Sequence, residues 1–148
     1  MIEQSPALIL LPPFLIAIIV ALVGFRYQKV CFPLTILSLA GSVAACIVTL
    51  MRVIEGGTIR YFMAGWPPPF GIEFRIDGLN ALVALAVSCV GLLAAIYSKN
   101  RVPAENPDKV SQYYTLFLLL ITGLLGMVIT GDAFNLYVML EVAALTSY

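Results

Sequence analysis

Long apolar segments separated by short polar intervals constrain this chain more than any other feature of its sequence. Such segments begin near residues 7, 30, 79, 113 and 133. A helix needs about 20 apolar residues to cross a hydrocarbon layer about 30 Å thick. Hydrophobic residues make up 61% of the chain and charged residues only 11%, which lies far outside the range of soluble domains. The sequence therefore predicts an all-α integral membrane protein.

About five membrane spans are predicted, in a single membrane domain that covers residues 1–148. The expected boundaries are 7–25, 30–51, 79–97, 113–129 and 133–148. The polar interval 52–76 separates the second and third spans, and polar and apolar residues alternate on either side of its three prolines at 67–69. Because alternation is typical of strands and consecutive prolines exclude a helix, we expect two short strands lying on the membrane face.

Small residues recur at four-residue spacing in two of the predicted spans. Residues of this kind at this spacing let two membrane helices approach closely. For the second span, ordinary packing without specificity stays equally open. The two sets are Gly41, Ala45 and Thr49 in the second span and Thr122, Gly126 and Thr130 in the fourth.

The distribution of basic residues predicts the orientation of the chain. The loops after the first and third predicted spans hold five of the eight basic residues, and the opposite side holds the other three. Loops rich in lysine and arginine face the cytoplasm. We therefore expect the N-terminus and the loop 52–76 to face outward from a cell membrane. The first residues lack the basic region of a signal peptide, so the first span is expected to be retained.

Glu141 is the candidate functional residue. It is the only ionisable carboxyl from Ala133 onward, and at about 1.5 Å per helical residue it lies roughly 13 Å beyond Asp132. A carboxyl at that depth costs several kcal/mol unless it is protonated, paired or wetted, and such residues mark ion paths more often than packing. The alternative, a helix end near water, is disfavoured because residues 142–148 remain compatible with the membrane. We predict that Glu141 marks an ion path and is more than a packing residue.

Other residues around this helix are expected to have supporting or structural roles. Helical spacing places Phe134, Tyr137 and Tyr148 on the face of Glu141, which suits contact with other helices better than contact with lipid. Asp77 and Asp132 each precede an apolar span and are suited to cap a helix.

Composition removes most other kinds of site. The three cysteines form no CxxC pattern and are interpreted as small apolar residues, and the chain contains no histidine. We expect no metal site, no cofactor and no active site of the chain's own. A net charge of zero gives no reason to expect a nucleic-acid partner.

One string resembles a known family. Residues 130–141, TGDAFNLYVMLE, preceded by Gly65-Trp66, by 69–71 (PFG) and by 77–80 (DGLN), look like the N-terminal part of the D subunit of Mrp-type cation/proton antiporters. This D subunit is similar in turn to the proton-pumping subunits of complex I and of membrane-bound hydrogenases. The resemblance implies a fourteen-helix fold, partner membrane subunits, and pairing of the acid at Glu141 with a lysine on a seventh helix. No such lysine has a counterpart here.

Two pairs of alternatives stay open at this point. The chain is expected to be either a fragment of a longer reading frame, which we favour, or a split subunit. The leading functional hypothesis is an ion-translocating subunit in which Glu141 transfers protons, coupled to sodium/proton exchange. The alternative is a proton-pumping or scaffold subunit of an NADH dehydrogenase or hydrogenase related to complex I, and a mid-membrane acid argues against a pure scaffold.

Overall fold

The computed structural model describes residues 5–66 and 69–148, and in that part of the chain it contains five α-helices and one two-stranded sheet. Pro67 and Pro68, in the predicted proline segment, lie outside the described residues. The helices are α1 (Ser5–Val23), α2 (Gln28–Gly56), α3 (Gly78–Glu105), α4 (Val110–Ile129) and α5 (Ala133–Ser147), and the strands are β1 (Ile59–Phe62) and β2 (Glu73–Ile76).

Helices α1 to α4 each contain an apolar stretch long enough to cross a membrane. Helix α5 is also apolar, but its 15 residues give a length of only about 22 Å. The all-α membrane fold predicted from the sequence is confirmed, with four full-length spans and one shorter apolar helix. The chain is therefore a multi-pass membrane protein.

The first four helices form one bundle, and α5 packs against α4 at its edge. Buried hydroxyl groups line the interior together with leucine and isoleucine side chains. Most of these hydroxyls donate to a carbonyl of their own helix, but two of them donate to a carbonyl of another helix. Ser42 donates to the carbonyl of Ile9 at 3.0 Å, and Ser111 donates to that of Val20 at 2.9 Å. These bonds fix α1 against both α2 and α4.

Two helices extend beyond their predicted spans. Helix α2 continues to Gly56 instead of ending near residue 51, and α3 continues to Glu105 instead of ending near residue 97. Hydropathy marks the part of a helix that lies in the hydrocarbon layer, whereas the helical backbone continues until its geometry breaks. For α2 the break comes at Gly57, whose φ of +81° favours glycine.

The close-packing face predicted for α2 from Gly41, Ala45 and Thr49 is wrong for Gly41. Gly41 is exposed, and a Cβ added there would meet no atom within 4 Å. The buried face of α2 contains Ser38, Ser42 and Cys46 together with Thr49 of the predicted set, while Ala45 lies at its border. Several small residues of this helix share the four-residue spacing, so spacing alone could not identify the face that packs.

The predicted strands are present as a hairpin. Strands β1 and β2 pair antiparallel, with Ile59 opposite Ile76 and Phe62 opposite Glu73. Phe74 and Ile76 are almost fully buried, whereas Arg75 between them is exposed. The hairpin therefore presents one apolar face to the helices and one charged face outward.

Candidate functional site: the α4–α5 junction and Glu141

A short turn between α4 and α5 determines where the Glu141 helix begins. Thr130 has the extended backbone that ends α4, and Asp132 caps α5 through a carboxylate that accepts a hydrogen bond from Phe134 N at 3.2 Å. The side-chain amide of Asn135 is almost fully buried and donates to the Thr130 hydroxyl at 2.9 Å. This bond ties the first turn of α5 back to the end of α4.

The β-hairpin braces the same turn from outside. The amide of Gly131 donates to the carbonyl of Glu73 at 2.8 Å, and Thr130 forms an isolated bridge with Phe74. A Cβ on Gly131 would lie 2.9 Å from the Cβ of Arg75, so the hairpin approaches too closely for a larger residue. The start of α5 is therefore held by both α4 and the hairpin.

Glycines of α4 determine how closely α5 approaches. A Cβ on Gly123 would lie 2.9 Å from the backbone nitrogen of Ala143, and a Cβ on Gly126 would lie 2.5 Å from the Sδ of Met139. Helix α5 thus turns the face containing Asn135, Met139 and Ala143 toward α4. The prediction that Gly126 lies on a close-packing face is confirmed.

Glu141 lies on the opposite face of α5. It is exposed, as are Phe134, Tyr137 and Tyr148, which were predicted to share its face. Phe134 and Tyr137 are 74% and 62% exposed, so no described helix covers this surface. The α5 outer face, which we define as Phe134, Tyr137, Glu141, Leu145 and Tyr148, combines one carboxyl, two phenols and apolar side chains.

Two contributors to the site were missed from the sequence. Asn135 belongs to the motif but was assigned no role, although a polar residue three positions after the cap, on an otherwise apolar helix, was a usable signal. Gly123 was missed because its spacing from Gly126 is three residues, not four. Both residues orient α5, and neither lies on the outer face.

Asp77 lies at the start of α3, on the hairpin side of the bundle. Its carboxylate accepts a hydrogen bond from Asn80 N at 2.9 Å, and the Asn80 side chain donates to the carbonyl of Arg75 at 3.2 Å. These contacts join the hairpin to α3. Within the described residues no three cysteine or acidic side chains lie close enough together to hold a metal ion.

Comparisons with known proteins identify relatives of the chain, although no family model matches it. It is 44% identical over 110 residues to the N subunit of NADH-quinone oxidoreductase from Desulforudis audaxviator, covering 74% of this chain and 21% of that protein. It is 30% identical over 139 residues to the D subunit of the Na(+)/H(+) antiporter from Bacillus subtilis, covering 92% of this chain and 28% of that protein. The chain therefore spans less than a third of either relative.

Solved structures give the same relationship. A chain of the membrane-bound sulfane sulfur reductase, an archaeal respiratory membrane complex, superimposes with a TM-score of 0.87 at 30% identity over 98% of this chain and 29% of that one. A chain of the Mrp complex from Dietzia superimposes with a TM-score of 0.83 at 27% identity over 99% of this chain and 26% of that one. The resemblance seen in the sequence is confirmed: the chain is homologous to the D subunits of Mrp-type antiporters and to the N subunit of NADH-quinone oxidoreductase.

Proposed function

We propose that this chain is part of an ion-translocating membrane subunit in which Glu141 accepts and releases a proton. The observation that carries the proposal is the placement of this carboxyl on a helix of apolar composition, on a face that the described helices leave uncovered. A membrane carboxyl in such a place needs a partner or a polar cavity. The subunit exchanges protons for sodium, as the name of the Bacillus subtilis relative indicates for that protein.

The packing of α5 supports this role. Because α4 and the hairpin both hold α5, and the Asn135–Thr130 bond ties its first turn to the end of α4, Glu141 has a fixed position from which to exchange a proton with a group on another helix. In the family that the chain resembles, this group is a lysine on a seventh helix. Here it would be supplied from outside these 148 residues, by polypeptide covering the α5 outer face.

The proposal also includes the assembly and the membrane orientation of the subunit. The subunit works with other membrane subunits in a cell membrane, and its N-terminus and β-hairpin face outward. The split of basic residues, five on one side and three on the other, supports this orientation. The hairpin and the α4–α5 junction lie at the same end of the bundle, since Gly131 bonds to Glu73.

A second candidate function is proton pumping within a redox complex. It is favoured by the 44% identity to the N subunit of NADH-quinone oxidoreductase, which exceeds the 30% identity to the antiporter protein. The two functions differ in their driving force. In membrane vesicles a sodium gradient should drive proton movement in an antiporter, whereas an electron donor should drive it in a redox complex.

Two substitutions at one position test the role of Glu141. Glu141→Gln should abolish coupled ion transport by the assembled complex in inverted vesicles, because an amide does not exchange protons near neutral pH. Assembly should be nearly intact, because the amide is almost isosteric with the acid. Glu141→Asp should retain partial activity, because it keeps the carboxyl on a shorter side chain. Asp132→Asn is the matched control. Asp132 acts as a helix cap worth about 1 kcal/mol, so its replacement should leave transport nearly unchanged.

Immunoblots of the vesicles should show equal amounts of each variant. Wild-type transport by Glu141→Gln at normal abundance would reduce this acid to a packing residue. The chain would then be better described as a scaffold that holds other subunits together.

A further inference from the structure

A groove runs between α3 and α4 on the outside of the bundle, away from Glu141. Its inner part is a cavity of about 350 Å³ lined only by apolar side chains and small residues, among them Val90, Gly91 and Ile121. Its outer part, at the helix ends, is a cavity of about 440 Å³ whose lining includes Lys109, Gln112 and Tyr113. We call the two parts together the α3–α4 groove.

The two parts of the groove lie on one continuous face of α4. Residues 113, 117, 121 and 124 are spaced at four, four and three positions, so they form a single stripe. The rings of Tyr113 and Phe117 stack with their centroids 6.0 Å apart and connect the outer part to the inner part. From Tyr113 to Ile121 the groove extends about 12 Å along the helix axis.

The two charged residues in the outer part of the groove differ in their salt bridges. These residues are Glu105 and Lys109. Glu105 lies 3.9 Å from Arg101 on the same helix, so its carboxylate has an ion-pair partner. Lys109 forms no salt bridge within the described residues, and its neighbour Asp108 lines a separate cavity on the α1 side. Lys109 lines this cavity together with Gln112 and Tyr113, whose side-chain amide and phenol can donate hydrogen bonds.

We propose that the α3–α4 groove binds an anionic phospholipid. The headgroup phosphate is bound at Lys109 with Gln112 and Tyr113, and one acyl chain follows the apolar wall toward Ile121. A purely apolar transmembrane helix would match the inner part but would leave the Lys109 ammonium without a salt-bridge partner. A basic pocket between membrane helices at their ends is the arrangement that binds acidic lipid headgroups. This proposal is independent of the function proposed for Glu141.

The test uses photoactivatable lipids in membranes that contain the full chain. The probes are a phosphatidylglycerol and a phosphatidylcholine with the same diazirine-bearing acyl chain, and the labelled residues are located by mass spectrometry. We expect phosphatidylglycerol to label Phe117, Ile121 and Leu124 more strongly than phosphatidylcholine does. Excess inorganic phosphate should not displace it, because the acyl chain contributes to binding.

Three variants complete the test. Lys109→Gln should lower labelling by phosphatidylglycerol about fivefold, the usual effect of one basic residue at a lipid surface. Val90→Trp, at a position that is 65% exposed and therefore outside the core, should block the inner part and abolish labelling there. Lys29→Gln, at the start of α2, is the matched control and should change nothing. Equal labelling by both lipids, unchanged labelling of Lys109→Gln, or no labelling because a protein helix covers the groove would each overturn the proposal.

Discussion

Gly123 gives the sharpest test of how α5 is positioned. In Gly123→Ala the new Cβ would lie 2.9 Å from the nitrogen of Ala143 and 3.0 Å from both the Cβ of Ala143 and the carbonyl oxygen of Met139. Carbon atoms in ordinary contact are about 3.5 to 4.0 Å apart, so α4 and α5 must separate by roughly 0.5 to 1 Å. Two of the opposing atoms belong to the backbone and cannot rotate away.

The expected cost follows from measured effects of overpacking. Extra methylene groups in a well-packed core cost about 1 to 3 kcal/mol. A value near the middle, about 2 kcal/mol, corresponds to roughly 30-fold more frequent opening of α5 from the bundle. Hydrogen–deuterium exchange of α5 peptides in micelles should report this as faster exchange, because local opening controls amide exchange.

Two other glycines provide an internal series. A Cβ at Gly126 meets chiefly the flexible end of Met139, at 2.5 Å from Sδ and 2.6 Å from Cγ, so Gly126→Ala should have a smaller effect. Gly41→Ala adds a methyl group where no atom lies within 4 Å and should leave α5 unchanged. If Gly123→Ala and Gly41→Ala gave the same exchange rates in α5, the proposed close packing would be refuted.

Two further predictions concern orientation and the bundle interior. In a background without Cys31, Cys46 and Cys89, a cysteine introduced at Thr58 should react with an impermeant reagent applied to intact cells and one at Asn106 should not; labelling at Asn106 would reverse the predicted orientation. Tyr114→Phe removes the 3.1 Å contact between the Tyr114 and Ser98 hydroxyls and should lower the free energy of unfolding by about 0.6 kcal/mol, the average for hydrogen bonds between membrane helices. Unfolding in mixed micelles would measure this change, and a loss above about 2 kcal/mol would contradict it.

Local patterns predicted much of this fold because membrane insertion depends on local composition. The apolar runs located all five helices, and alternation around Arg60 and Phe74 located both strands. Helices α2 and α3 extend beyond the predicted spans, since a helix that leaves the hydrocarbon layer keeps its backbone hydrogen bonds in polar surroundings.

Contacts between distant parts of the chain were not predictable in this way. The bond from Gly131 to Glu73 joins residues far apart in sequence, and neither residue carries a local signal for it. Helical spacing alone defines the face of α5 that carries Glu141, and its predicted role stays a prediction. The opposite face of α5 contacts α4 at Gly123 and Gly126. Only Gly126 was recognised from the sequence.

Carbodiimide labelling of the assembled subunit tests whether Glu141 carries the transported proton. A hydrophobic carbodiimide reacts with protonated carboxyls in apolar surroundings, and mass spectrometry identifies the residue that it modifies. We predict that label accumulates on Glu141 and that transport declines in proportion to this label, while Asp132 and Asp77, at helix starts outside the apolar spans, remain unmodified. Full transport with Glu141 completely labelled would show that Glu141 does not carry the transported proton.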